Sequence, residues 1–117
     1  MTNFVYKPHV SVEQQDEKKV TLLLTIPENL YYFQGHFPEA AILPGVAQLD
    51  WVMYFLREYF TVDTRELSSV DALKFQQIVR PKYQITLVLE QIKENKFSFK
   101  YYSAHGQHAS GKVVIAS

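Results

Sequence analysis

A chain of 117 residues with no cysteine and a formal net charge of zero has room for one domain and one core, built without disulfides. The missing cysteine excludes a disulfide scaffold and a cysteine nucleophile. The balance of 12 basic against 12 acidic residues excludes a long-range field that would draw in nucleic acid or an anionic membrane.

Apolar residues at 47% and charged residues at 21% are ordinary for a globular domain, whereas 15% aromatics, with eight Phe and eight Tyr, are many. That abundance fits a dense core and an apolar ligand tunnel equally well. The N-terminal MTNFVYKPHV lacks the basic-then-apolar pattern of a signal sequence. No apolar run approaches the roughly 18 residues that span a bilayer. Together with the absence of cysteine, this leads us to expect a cytoplasmic protein with no membrane span.

In chain order, Glu13 to Lys19 (EQQDEKK) is a charge cluster between apolar stretches and reads as a solvated turn. Val20 to Ile26 alternates Val20, Leu22, Leu24 and Ile26 on one face and is closed by Pro27, which predicts a strand. Residues 27 to 44 carry three prolines and a glycine and read as a loop. Val46, Leu49, Met53, Leu56 and Phe60 follow the 3, 4, 3, 4 spacing of a helix, and Pro44-Gly45 suits its first turn. Four strands are expected next: Val70 to Val79 before Pro81, Tyr83 to Lys93, Lys96 to Ala104, and a short Lys112 to Ala116. Lys93 to Lys96 (KENK) forms a hairpin connection, and Gly106 and Gly111 lead to the last strand. This order describes an α+β domain spanning 1–117, with an antiparallel sheet and one helix laid against it.

From Val46 to Leu56 only Gln48 and Asp50 are polar, and a helix apolar nearly all round is a buried helix. Asp50 falls at the edge of the Val46, Leu49, Met53 stripe. An unpaired carboxylate there costs several kcal/mol, so Asp50 either caps a neighbour, pairs with a cation such as Arg57, or works. Upstream, His36 stands between Gly35 and Phe37-Pro38. Gly35 gives backbone freedom and Pro38 holds Phe37 extended. A histidine in a stiff loop before a helix with an embedded acid is a plausible acid/base pair; a surface histidine is the plain alternative.

The segment FQGHFPEAAILPGVAQLD, Phe33 to Asp50, resembles the active-site signature of the β-hydroxyacyl-acyl-carrier-protein dehydratases. The matching residues are Gly35-His36-Phe37-Pro38, Pro44-Gly45-Val46, and an acid fourteen positions after the histidine. ILPGVAQLDW is similar to the small stand-alone dehydratases of aryl polyene gene clusters, and VDALKFQQIVRP resembles the strand after the helix. The resemblance implies a single hot-dog fold, an antiparallel sheet wrapped around one central helix. It also implies removal of water from a 3-hydroxyacyl thioester on an acyl carrier protein, in fatty acid or aryl polyene biosynthesis. His36 would be the base that takes the C2 proton, since histidine titrates near neutrality. Asp50 would be the acid that protonates the leaving hydroxyl. The Gly45 backbone N–H, at the positive end of the helix, would polarise the carbonyl. No cofactor is implied.

The same resemblance implies a homodimer, or a heterodimer with a related hot-dog subunit, with His36 of one subunit facing Asp50 of the other. An apolar tunnel would run beside the helix, with Phe33, Phe37, Val46, Trp51 and Tyr54 as candidate walls. One departure stands out: Tyr54 occupies the position, four after the acid, where these dehydratases often carry a Gln that helps hold the carboxyl. Lys74, Arg80 and Lys82, with no acid among them, form either a docking surface for an acidic carrier protein or a solvated strand end. His105 and His108 flank Gly106 with no acid or Cys nearby, so no metal site is expected. Two other readings stay open, a hot-dog subunit that binds without catalysing and an acyl thioesterase, although the thioesterase branches lack the Gly-His-Phe-Pro signature.

Overall fold

The computed structural model describes residues 5–34, 41–62 and 67–116. Strand β1 (His9–Gln15) forms a hairpin with β2 (Lys19–Thr25). Asp16 closes it, its Oδ1 accepting the Lys18 and Lys19 N–H groups at 2.9 Å each, as a short acceptor side chain does in a tight turn. Helix α1 (Gly45–Phe60) follows a 3-10 turn at Tyr31–Phe33. Then come β3 (Leu67–Phe75), β4 (Gln84–Lys93), β5 (Lys96–Ser103) and β6 (Gly106–Ile115). All six strands form one antiparallel sheet in the order β1-β2-β4-β5-β6-β3.

The alternation read in β2, β4 and β5 is the alternation found. Val20, Leu22 and Leu24, Ile85, Leu87 and Leu89, and Phe97, Phe99 and Tyr101 all point inward and are buried. They meet Ala47, Trp51, Val52, Phe55 and Leu56 of α1 in one core, with Val113 and Ile115 of β6. The α+β architecture, one helix against a curled antiparallel sheet, is therefore the one expected.

Four local expectations are corrected. Glu13 to Gln15 belong to β1, not to the turn, which is confined to Asp16–Lys18. Every residue of β1 is exposed, and its alternation, two valines at Val10 and Val12, is too short to have marked it as a strand. The strand after the helix runs Leu67–Phe75 rather than Val70 to Val79. The last strand begins at Gly106, not Lys112; Gly106 has φ +117°, a turn conformation that favours glycine. Lastly, of the spaced positions Val46, Leu49, Met53, Leu56 and Phe60, only Leu56 lies on the buried face of α1. The helix buries Ala47, Gln48, Trp51, Val52, Phe55 and Leu56, and leaves Val46 73% exposed.

Two pins hold α1 to its surroundings. Tyr101, fully buried in β5, donates its hydroxyl to the Gln48 backbone carbonyl at 2.6 Å. The Trp51 indole N–H donates to the Tyr6 carbonyl at 2.9 Å and ties the N-terminal segment over the helix. Burial first, then the Asp50 carboxylate, hold the Tyr101 hydroxyl well above the ordinary tyrosine range, so it stays a donor.

A raised folded-state value means that this contribution is whole below the unfolded tyrosine pKa of about 10 and is lost as pH rises above it. Tyr101→Phe is expected to cost about 1–1.5 kcal/mol at neutral pH, through loss of the buried hydroxyl–carbonyl hydrogen bond, and to flatten the loss of stability at alkaline pH. Urea titrations between neutrality and pH 11 measure both effects. Gly111→Ala is expected to cost about 1–3 kcal/mol by overpacking, because a Cβ there would lie 2.8 Å from the buried Phe99 ring. Phe99→Leu in the same chain should recover part of that loss in the same titration.

Candidate active site

Helix α1 starts without a side-chain cap. Pro44 is the N-cap in an extended conformation, with φ −63° and ψ 150°. Its carbonyl accepts the Ala47 and Gln48 N–H groups at 3.1 and 3.2 Å. The amides of Gly45 and Val46, in the first turn, have no acceptor within the helix. They sit at the positive end of the helix dipole.

Three contacts set where that end lies. The Leu43 N–H donates to the Val79 carbonyl at 2.8 Å, and the Gln48 side-chain Nε2 donates back to the Leu43 carbonyl at 3.3 Å. The half-exposed Phe75 ring at the end of β3 lies against Gly45, where a Cβ would come within 2.7 Å of it. A side chain at 45 would therefore have to displace the Phe75 ring. Leu43, Gln48, Phe75, Gln76, Gln77 and Ile78 line a cavity of about 190 Å³ beside the helix start. The Gln48 Oε1 is buried there without a partner among the described residues.

Asp50 lies four residues after Val46, on the same face. Both are exposed, which corrects the expectation of a carboxylate buried within the single chain. Two tyrosines feel its charge. The Tyr101 hydroxyl does so as described, and the Tyr32 hydroxyl is raised by burial first, then by Asp50, Tyr6 and Tyr31. Tyr6, Tyr31 and Tyr32 pack together, with Tyr6 and Tyr31 stacked at 5.0 Å.

Tyr54 carries the Lys7 ammonium 4.4 Å above its ring and the Arg57 guanidinium at 5.9 Å. No hydrogen bond joins it to Asp50 among the described residues, so the Gln that often stands at this position is not replaced in kind. Of the other candidate walls, Trp51 and Phe33 are buried in the core, and Val46 faces outward. His36 and Phe37, with Gly35 and Pro38, lie outside the described residues. Of the candidate docking cations, Lys74 borders a concavity on the outer face of the sheet, with Lys19, Lys100 and Lys112. Lys82 forms a surface ion pair with Glu28 at 3.1 Å, and Arg80 is half-buried.

Sequence reasoning missed Phe75 and the packing of His108. Phe75 gave no signal beyond being one more aromatic. His108, read as part of a turn, is fully buried in β6. His105 stacks on Tyr83 at 4.1 Å.

A sequence profile of the ApeI-like family, described as ApeI dehydratase, matches residues 12–112. The chain is 32% identical over 90 residues to the 3-hydroxyacyl-[acyl-carrier-protein] dehydratase FabZ of Pediococcus pentosaceus, covering 72% of this chain and 60% of that one. It is 32% identical over 106 residues to the FabZ of Desulfotalea psychrophila, covering 84% and 69%. Against the FabZ proteins of P. pentosaceus and Levilactobacillus brevis, the match spans 60% and 66% of their length. Among solved structures, the dehydratase heterocomplex ApeI:P of Xenorhabdus doucetiae aligns with TM-score 0.83 at 29% identity, covering 95% of this chain and 99% of that one. An uncharacterized protein of Erwinia carotovora subsp. atroseptica aligns with TM-score 0.73 at 33% identity, covering 93% and 95%. Zebra fish thioesterase superfamily member 2, at 12% identity and TM-score 0.69, shares the fold alone. With a matching profile over residues 12–112 and a sheet and helix that superpose on its structures, the chain belongs to the ApeI-like dehydratase family and has the hot-dog fold.

Proposed function

We propose that this protein removes water from a 3-hydroxyacyl thioester, delivered on an acyl carrier protein, to give the trans-2-enoyl thioester in fatty acid or aryl polyene biosynthesis. The observation that carries the proposal is the face of α1 on which Asp50 stands. An acid projects from an uncovered helix face, little more than one turn from two amides that lack helical acceptors, within a chain that matches a dehydratase family.

The thioester carbonyl oxygen accepts from the Gly45 N–H, which stabilises the enolate-like charge that develops there. His36 takes the C2 proton. The C3–oxygen bond breaks, and Asp50 supplies the proton that lets hydroxide leave as water. The double bond forms between C2 and C3. His36 then holds one proton more and Asp50 one fewer, and transfer between them through solvent restores both.

A second hot-dog subunit completes the site. It covers the face bearing Val46 and Asp50 and pairs with the edge strand β3, where Leu67, Leu73 and Phe75 are exposed. An open apolar edge is a ready template for another chain. The cover closes the site around Asp50, and the partner brings its own His36. The partner is a second copy of this chain. A related but different subunit is the alternative, favoured by the heterocomplex in which the X. doucetiae ApeI was solved.

The test is hydration of a trans-2-enoyl thioester, followed at the enoyl absorbance. Wild type should turn over carrier-bound substrate. His36→Ala and Asp50→Asn should each lower kcat/KM by about 10²–10⁴-fold with unchanged thermal unfolding. A wild type inert on both carrier-protein and CoA thioesters would contradict the proposal, and release of free thiol without water addition would assign a thioesterase instead.

A further inference from the structure

The proposed reaction makes no use of His108, yet this fully buried residue has both ring nitrogens engaged. Nδ1 lies 3.1 Å from the Ile78 carbonyl oxygen and 3.3 Å from that of Gln77. A carbonyl oxygen only accepts, so Nδ1 carries a proton. Nε2 lies 2.6 Å from the Ser103 hydroxyl, whose oxygen also accepts the His105 N–H at 3.0 Å. The His108 backbone carbonyl accepts the N–H groups of Gln76 at 2.9 Å and Gln77 at 3.3 Å. One residue thus holds the segment 76–78 through its ring and its main chain.

That segment leads directly to the helix start. Val79, next in the chain, accepts the Leu43 N–H at 2.8 Å. Leu43 precedes the N-cap Pro44, and its carbonyl accepts from the Gln48 side chain. On the other side the segment continues from Phe75, whose ring lies against Gly45. The connection is unbroken from His108 to the first turn of α1.

We propose that His108 is a positioning residue for the active site. Its ring N–H fixes the segment 76–79 and, through the Val79–Leu43 bond, the placement of the Gly45 and Val46 amides. The inference rests on the reading above that the Gly45 amide polarises the thioester carbonyl. Small displacements of such groups cost rate out of proportion to their size.

The experiment compares wild type with His108→Leu, which keeps most of the volume and removes the N–H, and with His108→Asn, which restores a donor. Ser103→Ala adds a variant that frees Nε2 without emptying the core. Two readouts are taken on the assembled protein: hydrogen exchange at the Leu43 amide, and kcat and KM for hydration of a trans-2-enoyl thioester. His108→Leu should speed Leu43 exchange about tenfold, leave the β4 and β5 amides unchanged, and lower kcat about tenfold with KM within about twofold, because the interaction acts in the transition state. His108→Asn should recover much of both, and Ser103→Ala should shift both in the same direction by less. Wild-type exchange and kcat in His108→Leu would overturn the proposal, as would an Asn variant no better than the Leu variant. If His108→Leu does not fold, the Asn and Ala variants decide: unaltered Leu43 exchange and kcat in Ser103→Ala, with loss of both in a folded His108→Asn, would overturn it. A wild type without hydration activity would overturn the site reading and the positioning role together. Leu43 exchange needs no substrate, so it tells that failure apart from a failure of the clamp.

Discussion

A single curled sheet covers only one side of a helix. In this chain the sheet takes the side of α1 bearing Ala47, Trp51, Val52, Phe55 and Leu56. On the opposite side Val46 and the partly covered Leu49 and Met53 stand beside the exposed Asp50, Arg57 and Glu58. Burying a side chain of this size is worth about 1.5–3 kcal/mol. In the proposed assembly a second subunit buries Val46, Leu49 and Met53, and the exposed edge of β3 orients it.

The same constraint sorts the polar groups of the helix. Gln48 and Asp50, two residues apart, fall on opposite sides. Gln48 turns inward and bonds the Leu43 carbonyl, while Asp50 turns out to the uncovered face. The helix start, set by Pro44 and held by Leu43 and Phe75, stands close to both. In the proposed assembly the second subunit supplies what the protomer lacks: an apolar cover for Val46, a dry setting for the carboxyl, and His36. Chemistry and association then draw on one surface.

How much of this was legible from the sequence depended on which side of an element faces the protomer's own core. β2, β4 and β5 pack one face inward and the other to solvent, so their alternation could be read directly. β1 is exposed throughout and left only the short alternation of Val10 and Val12. β3 was displaced by several residues because Val79, which follows the strand, is buried while most of the strand is exposed. The helix was recognised by its spacing, yet of Val46, Leu49, Met53, Leu56 and Phe60 only Leu56 is fully buried, because the outward positions are as apolar as those that enter the core. The helical pattern marked Asp50 as a costly acid and Gly45 as part of the helix entry, and the family signature gave each its role. Asp50 was read as part of a buried helix, and in the single chain it is exposed, because a sequence does not tell which face of an apolar helix its own sheet will cover. His108 was illegible for another reason: its ring partners at Gln77 and Ile78 are some thirty residues distant, and only the fold brings them together.

The central claim is that one active site draws on two subunits, and subunit complementation tests it most directly. His36→Ala and Asp50→Ala chains, each inactive alone, are mixed, allowed to exchange subunits, and assayed for hydration of a trans-2-enoyl thioester. If the site is shared between identical chains, random exchange makes half the dimers mixed, each with one intact site, so activity returns to about a quarter of the wild-type value. No recovery after exchange has been verified by mass would contradict a site shared between two copies of this chain.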